Sequence, residues 1–550
     1  MTIFAPATKL DRMNKAPYSR SRLAALFAAV FLISAAYLAL LGSYPFALGG
    51  TREYEWPVLF HGVASRLPAA LLITLLCALA LALLGRDMGA LFNAKAGRAR
   101  LFAALFLLGV GLQAGPAAVH KQGLLEFPLR VYLADHTSYF ADAARIQDPS
   151  KWLDDYLPRF EKLSVMLDKV KSGRQSDEEL REIWSEADKI FHTHTRTHPP
   201  GAVLAFYAAQ EAVRLMPGFA DFYVRAVPRS REAAAKFGLS DYQVAAGGVC
   251  ALLLFIFAAA CLPLSFALAR QVLSDEKALA AAALFGTSPA FSHKTPVLNH
   301  ALAFVVLFCL WLFITGLAKR QWWKAVLAGA LSGLALWAGT SVVAVFPLCA
   351  VFAGAWLWGR RSRAGEEGAV LKADAGRAVL FFLLVAASAA LLCLGLGLVL
   401  ETSYIRVYKA ITGTGWEFNN LASQRQNVFL WISFNFYEML AFAGVPLAFF
   451  FIGSTGKNVL ALFRKKADDQ TRYALAVIVF LLALNLSGKV CYEASRLVWF
   501  GFPLMAIIAV QAMPAPRNGL SDAENNRAAW FLAGVFAVQT ACAVAFRSIF

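Results

Sequence analysis

The sequence predicts an all-α polytopic membrane protein, and three observations carry that reading. The 550-residue chain is 59% hydrophobic and 16% charged, with a mean hydropathy of +0.56; a soluble chain carries about 25% charge. Apolar runs of roughly eighteen residues or more recur from end to end, each long enough to cross about 30 Å of hydrocarbon. The runs are continuous rather than alternating, which excludes a transmembrane β-barrel. The net charge of +17 does not imply a nucleic-acid partner, because the basic residues sit in short clusters beside the apolar runs, as the positive-inside bias places them.

Residues 1–22 carry Lys9, Arg12, Lys15, Arg20 and Arg22 and are expected on the cytoplasmic side. The first apolar run, Leu23 to Leu41, has no small-residue cleavage site and reads as a retained span, not a signal peptide. A second span at about 68–85 returns to Arg86, Lys95, Arg98 and Arg100, and a third at about 101–119 leads outward again. The chain thus divides into N-terminal spans (1–119), a large outer loop (120–242) and a transmembrane bundle with short outer loops (243–550). Within the loop, Ser176-Asp177-Glu178-Glu179 is a capping box, and Leu180, Ile183, Trp184, Ala187, Ile190 and Phe191 follow at helical spacing.

Residues 199–217 decide the topology. If they crossed, Lys319, Arg320, Arg360, Arg361, Arg363 and Arg464-Lys465-Lys466 would all face outward, against the positive-inside bias. The segment also has a polar face in Tyr207, Gln210, Glu211 and Arg214, so an amphipathic helix lying in the interface is expected. Ten further spans follow, at about 243–269, 277–291, 297–318, 323–340, 342–358, 376–400, 427–453, 471–488, 496–513 and 528–547. The total is about thirteen, with the N-terminus cytoplasmic and the C-terminus outside. Most of the eight cysteines, among them Cys77, Cys250, Cys309 and Cys393, lie in apolar runs; Cys491 is placed in an outer loop, so no disulfide framework is implied.

This topology gathers the unusual polar residues at one interface, the usual mark of a site in a membrane protein. Asp135 and Asp142, seven apart, would share a helix face, as a general base and a second carboxylate that orients it or holds a cation. Two solvated loop carboxylates are the plainer reading. His192, His194 and His198 run into Pro199-Pro200; the spacing matches no strong zinc signature, and hydrogen bonding to a phosphate or sugar suits these imidazoles better than metal. Glu493 and Arg496 stand at the mouth of a span, as a local ion pair or as a guanidinium fork for phosphate. Lys294 beside His293 is a further phosphate candidate. The 401–426 loop, with Tyr404, Arg406, Tyr408, Lys409, Trp416, Glu417 and Arg425, suits sugar stacking or an interfacial belt among membrane lipids. No Walker loop, GxSxG or dinucleotide fingerprint is present. A divalent cation is the one cofactor this set could hold.

In this order of features the chain resembles the GT-C superfamily of membrane glycosyltransferases, which use polyprenyl-phosphate sugars and include protein O-mannosyltransferases and the aminoarabinose transferases of lipid A. Those enzymes open their first large outer loop with an acidic motif, typically Asp-Glu-x-x-Tyr-Ala. Here Asp135-His136-Thr137-Ser138-Tyr139-Phe140 matches the Asp and the Tyr, with His at the second position. A Pro-Pro segment follows in the same loop, as in Thr197-His198-Pro199-Pro200-Gly201. Glu493-x-x-Arg496-x-x-Trp499 is similar to a late pattern of some bacterial members, whereas Ser288-Pro289 to Asn299-His300 lacks the family's second acid. Two more spans precede the acidic loop than the one that is usual.

The resemblance implies a GT-C-like bundle at the inner membrane of the cell envelope, with its site on the outer, periplasmic face. It implies Asp135 as the general base that takes a proton from a lipid, glycan or protein acceptor. Direct displacement at the anomeric carbon would invert configuration and release a polyprenyl phosphate, its charge met by Arg196, Arg496, Lys294 or a bound cation. The rival expectation is a transporter or flippase of lipid-linked sugars, which calls for inverted repeats and polar residues buried at mid-membrane; the sequence shows few charges inside the spans and no repeat. A non-catalytic membrane scaffold is a third reading, and it would tolerate loss of Asp135.

Overall fold

The structure is a computed structural model that describes residues 19–43, 67–86, 95–119, 122–132, 138–172, 176–192, 195–235, 237–292, 296–364, 368–417, 428–487, 497–516 and 520–549. All regular structure among them is helical. The α-helices in chain order are α1 (Arg20–Ser43), α2 (Leu67–Arg86), α3 (Lys95–Val119), α4 (Glu126–Tyr132), α5 (Tyr139–Ala143), α6 (Pro149–Asp154), α7 (Tyr156–Lys171), α8 (Asp177–Ile190), α9 (Gly201–Arg214), α10 (Pro217–Ala226), α11 (Pro228–Ala235) and α12 (Asp241–Ala269). They continue as α13 (Asp275–Gly286), α14 (Pro289–Ser292), α15 (Leu298–Lys319), α16 (Trp322–Leu336), α17 (Val345–Ala364), α18 (Gly368–Val399), α19 (Tyr404–Ala410), α20 (Val428–Ala443), α21 (Val445–Phe463), α22 (Asp469–Leu486), α23 (Gly501–Ala509) and α24 (Asp522–Ile549).

Nine helical segments among the described residues are long and apolar enough to cross a membrane: 20–39, 97–119, 241–269, 298–319, 340–362, 372–399, 445–463, 469–486 and 522–545. This is the architecture of a helical multi-pass membrane protein. Of the further spans expected from sequence, α2 and α16 contain shorter apolar stretches, Leu71–Leu81 and Trp322–Leu336. The helix α13 has 12 residues and α23 has nine; at about 1.5 Å per residue neither crosses the hydrocarbon alone. Among the described residues α23 is buried on every side and α13 on nearly every side. The stretch expected as a single span over 427–453 is two helices, α20 and α21, broken at Gly444, which has φ +78.

That break is sealed from α24. The side chain of Gln539, fully buried, donates from Nε2 to the Ala443 carbonyl at 2.5 Å and accepts at Oε1 from the Leu447 amide at 3.4 Å. These are the groups a helix end leaves without intrahelical partners. A Cβ at residue 444 would run into the Gln539 amide and the Pro289 ring, so glycine is required there both by its backbone angle and by space. Around this point α24 packs on α1 and α2, and α23 on α13 and α21, so the first and last described helices are neighbours.

Two main cores organise the described residues. The larger lies among the long helices, centred on residues such as Phe266, Phe285, Phe291, Phe313, Phe381 and Phe502. The smaller belongs to the 122–240 segment, whose Tyr139, Phe140, Tyr156, Phe160, Phe191 and Phe206 close over the first turns of α12 at Val244, Ala245 and Ala246. Two adjacent glycines of α12 make this docking close: the ring of Tyr132 lies on Gly247 and that of Tyr223 on Gly248, where any Cβ would collide. The Tyr132 hydroxyl donates to the Val244 carbonyl at 2.6 Å. The segment expected to lie in the interface, 199–217, is α9, whose 14 residues are too short to cross. It buries Ala202, Val203, Phe206, Gln210 and Val213 on one face. The capping box also forms as expected: the Glu179 amide donates to Ser176 Oγ, and the Ser176 amide to Glu179 Oε2 at 2.7 Å.

Candidate functional site

Five of the residues singled out from sequence, Asp135, His194, Lys294, Glu493 and Arg496, lie outside the described residues. The other four, Asp142, His192, Arg196 and His198, converge. Fifty residues of chain separate Asp142 from His192, yet Asp142 Oδ1 accepts from His192 Nδ1 at 2.6 Å. The second oxygen, Oδ2, accepts a short hydrogen bond from the Thr195 hydroxyl. Arg145, largely exposed, stands 3.9 Å from Oδ1. Asp142 is 7% exposed, so its carboxylate is a buried acceptor with both oxygens engaged, on a five-residue helix entered through Ser138 at φ 59.

The return strand of this clamp is the tight turn at 195–197, and its residues are held from several directions. Arg196 is 3% exposed; its Nη2 donates to Asp188 of α8 and to the Phe191 carbonyl at 3.2 Å. Burial pulls the proton affinity of this guanidinium down, and Asp188 offsets part of that. The Thr197 carbonyl accepts from Trp416 Nε1 at 3.4 Å, and the His198 carbonyl from the Tyr156 hydroxyl at 2.8 Å. Burial, with Asp142 nearby, raises the Tyr156 phenol well above its ordinary range, so it stays a donor. The His198 ring is itself buried, edge-on to Tyr139 at 5.2 Å, with Nδ1 3.2 Å from the Thr197 hydroxyl. Arg159 backs the clamp, its guanidinium 5.5 Å from the Trp152 ring and 5.6 Å from Phe191.

Two close approaches dock this unit on the rest of the protein. Gly415 lies directly against the Arg196 carbonyl, and Gly201 against the carbonyl of Trp337, with no room for a Cβ at either. The ion pair Lys171–Glu417 at 2.6 Å adds an exposed tie between α7 and the same 411–417 turn. Part of the 401–426 loop thus reaches the His-rich segment through Gly415 and Trp416. Gln210 of α9 donates to the Phe140 carbonyl at 3.4 Å, and Gln243 of α12 to the Ala144 carbonyl at 3.3 Å, so α5 is fixed from both sides.

Sequence reasoning missed Thr195, Asp188, Tyr156, Arg159 and Trp337. Thr195 and Asp188 carried a usable signal, since each sits within eight residues of Arg196 in a stretch already marked; Trp337 carried none, being one aromatic in an apolar run. Among the described residues no three His, Cys, Asp or Glu side chains gather as a metal site would require. Asp142 and His192 make a pair. Compared with known families and curated proteins, the chain finds no counterpart: no family model matches it and no curated protein matches it.

Proposed function

We propose that the chain is a membrane glycosyltransferase of the GT-C kind, moving a sugar from a polyprenyl-phosphate donor to a lipid, glycan or protein acceptor. The observation that carries this reading is the clamp of Asp142 on His192 and Thr195. It draws the end of the 135–142 motif, at Asp142, and the segment leading into His198-Pro199-Pro200 to one patch. In this reading the site faces outward at the inner membrane, within about thirteen spans and with a cytoplasmic N-terminus. The basic residues at Arg360, Arg361 and Arg464-Lys465-Lys466 support that orientation.

The division of labour starts from the residues that are engaged. Asp142 and Arg196, buried against His192, Thr195 and Asp188, hold the two ends of the segment. Asp135, seven residues before Asp142, takes the acceptor proton as the acceptor oxygen attacks the anomeric carbon. The bond from that carbon to the donor phosphate breaks in the same displacement, and configuration inverts. The phosphate leaves with its electron pair, and Arg496 and Lys294 meet the charge that grows on it. The lipid tail keeps the donor in the bilayer, so that the encounter at the site is local.

Purified full-length chain is given a polyprenyl-phosphate sugar and membrane extract, and transfer of the sugar is followed. Asp135→Asn, which keeps size and removes basicity, lowers the rate about 10²–10⁴-fold and spares donor binding. Transfer from a nucleotide sugar alone, or near wild-type turnover by Asp135→Asn, overturns the proposal.

A further inference from the structure

A cavity of about 920 Å3 lies between α16, α17 and α18, close to the turn that leads into α19. Binding pockets run from roughly 300 to 1,000 Å3, so this is room for a large ligand. Its wall is apolar, with Phe346, Ala390 and Leu394 among the lining groups, and it ends in a polar rim at Glu401, Thr402 and Ser403. Leu394 is 63% exposed and Leu398 81%. Both line the cavity, so it opens on the face that α18 turns to the hydrocarbon.

Two buried donors, one lining the cavity and one packed behind it, point to particular chemistry. The Tyr404 hydroxyl and the Trp337 indole N–H are buried and have no hydrogen-bond partner among the described residues. Their rings meet edge-on at 5.4 Å, and Tyr404 lines the cavity. Buried donors of this kind call for an acceptor oxygen. They sit where a span ends, at the depth where glycerol esters and phosphates replace hydrocarbon and where such aromatic side chains gather. Burial raises the Tyr404 phenol, which keeps it protonated as a donor. The charged group that lines the cavity, among the described residues, is the carboxylate of Glu401; a carboxylate at the rim repels an anionic head and attracts an ammonium.

The geometry points to a bound amine-headed glycerophospholipid. One acyl chain lies along Phe346, Ala390 and Leu394, an ester or phosphate oxygen accepts from Tyr404 and Trp337, and the ammonium sits at Glu401. The site is separate from the proposed sugar transfer but adjoins it, because the backbone of Trp337 is the surface on which Gly201 rests.

The full chain, purified in mild detergent, is labelled with phosphatidylethanolamine carrying a photoreactive acyl chain, and the labelled peptides are mapped. Labelling is expected to concentrate in residues 386–398. Unlabelled phosphatidylethanolamine should compete at a concentration at least fivefold lower than phosphatidylglycerol or a polyprenyl phosphate. Glu401→Gln, which changes neither size nor backbone demand at this φ +50 residue, should erase that preference. Ala390→Trp, at an exposed cavity position, should reduce labelling at least fivefold while the variant elutes and melts as the wild type does. Equal competition by phosphatidylglycerol, or labels scattered along the exposed face of α18, would mean bulk lipid and overturn the site. Stronger competition by the polyprenyl phosphate would reassign the cavity to an isoprenoid tail. None of these readouts involves sugar transfer, so the two proposals stand or fall separately.

Discussion

Gly201 opens helix α9 with its backbone pressed on the carbonyl of Trp337, in a space that no side chain could share. The contact joins the His-rich turn on one side to the connection after α16 on the other. Because the opposing atoms are main chain, they cannot swing aside as the tip of a flexible side chain would.

Replacing Gly201 by Ala is therefore expected to destabilise the chain by about 1–3 kcal/mol, the range for overpacking a filled interior, although alanine is the better helix former. Gly218, where a Cβ would meet nothing within 4 Å, is the control: Gly218→Ala should leave thermal unfolding in detergent unchanged or raise it slightly. Equal effects at the two positions would deny the contact its role.

The Asp142–His192 contact should behave as one unit. Asp142→Ala and His192→Ala are each expected to lower stability by about 1.5–3 kcal/mol, the scale of a hydrogen bond to a charged group. The double variant should lose clearly less than the sum, with a coupling of about 0.5–3 kcal/mol. Additive losses in a double-mutant cycle would show that the pair does not clamp the segment.

Arg196 and Asp188 make an unequal pair, with side chains 3% and 53% exposed. Arg196→Ala removes a buried guanidinium and should cost about 2–5 kcal/mol. Arg196→Lys keeps the charge without the fork that reaches both Asp188 and the Phe191 carbonyl, and should restore only part of the loss. Asp188→Asn should cost less than Arg196→Ala, since water reaches that end of the pair. Chemical denaturation of the purified variants orders the three.

Orientation is tested by labelling introduced cysteines with an impermeant reagent in intact cells. In a background without native cysteines, Arg229→Cys should be labelled and Ser362→Cys should not; both positions are exposed on the protein. The reverse pattern would invert the topology and move the candidate site to the cytoplasmic face.

What could be read in advance was what is local in the chain. The Ser176–Glu179 box closes over three residues and was visible as a pattern; the polar face expected on α9 holds for Glu211 and Arg214 but not for Gln210, which is buried against the Phe140 carbonyl. The membrane class followed from composition alone. The partners of Asp142 could not be read, because His192 and Thr195 are brought to it by aromatic packing of Tyr156, Phe160 and Phe191 across some fifty intervening residues. The break at Gly444 was invisible for a related reason. In sequence it is one glycine inside an apolar run, and what makes it a helix boundary is an amide side chain from α24. The short interior helices α13 and α23 lie inside runs expected as unbroken spans, because hydropathy reports apolar composition and not the length of the helix that carries it.

The Gln539 seal bears on biogenesis. A membrane chain is threaded into the bilayer from its N-terminal end, so α20 and α21 reach the lipid before residue 539 has been synthesised. Until α24 arrives, the Ala443 carbonyl and the Leu447 amide have no side chain to answer them, in a solvent that supplies no water. The same helix completes the packing around α1 and α2, which also wait for it. Insertion of α24 is thus the step that closes this part of the bundle, and a chain that stopped short of residue 539 would keep an open seam there.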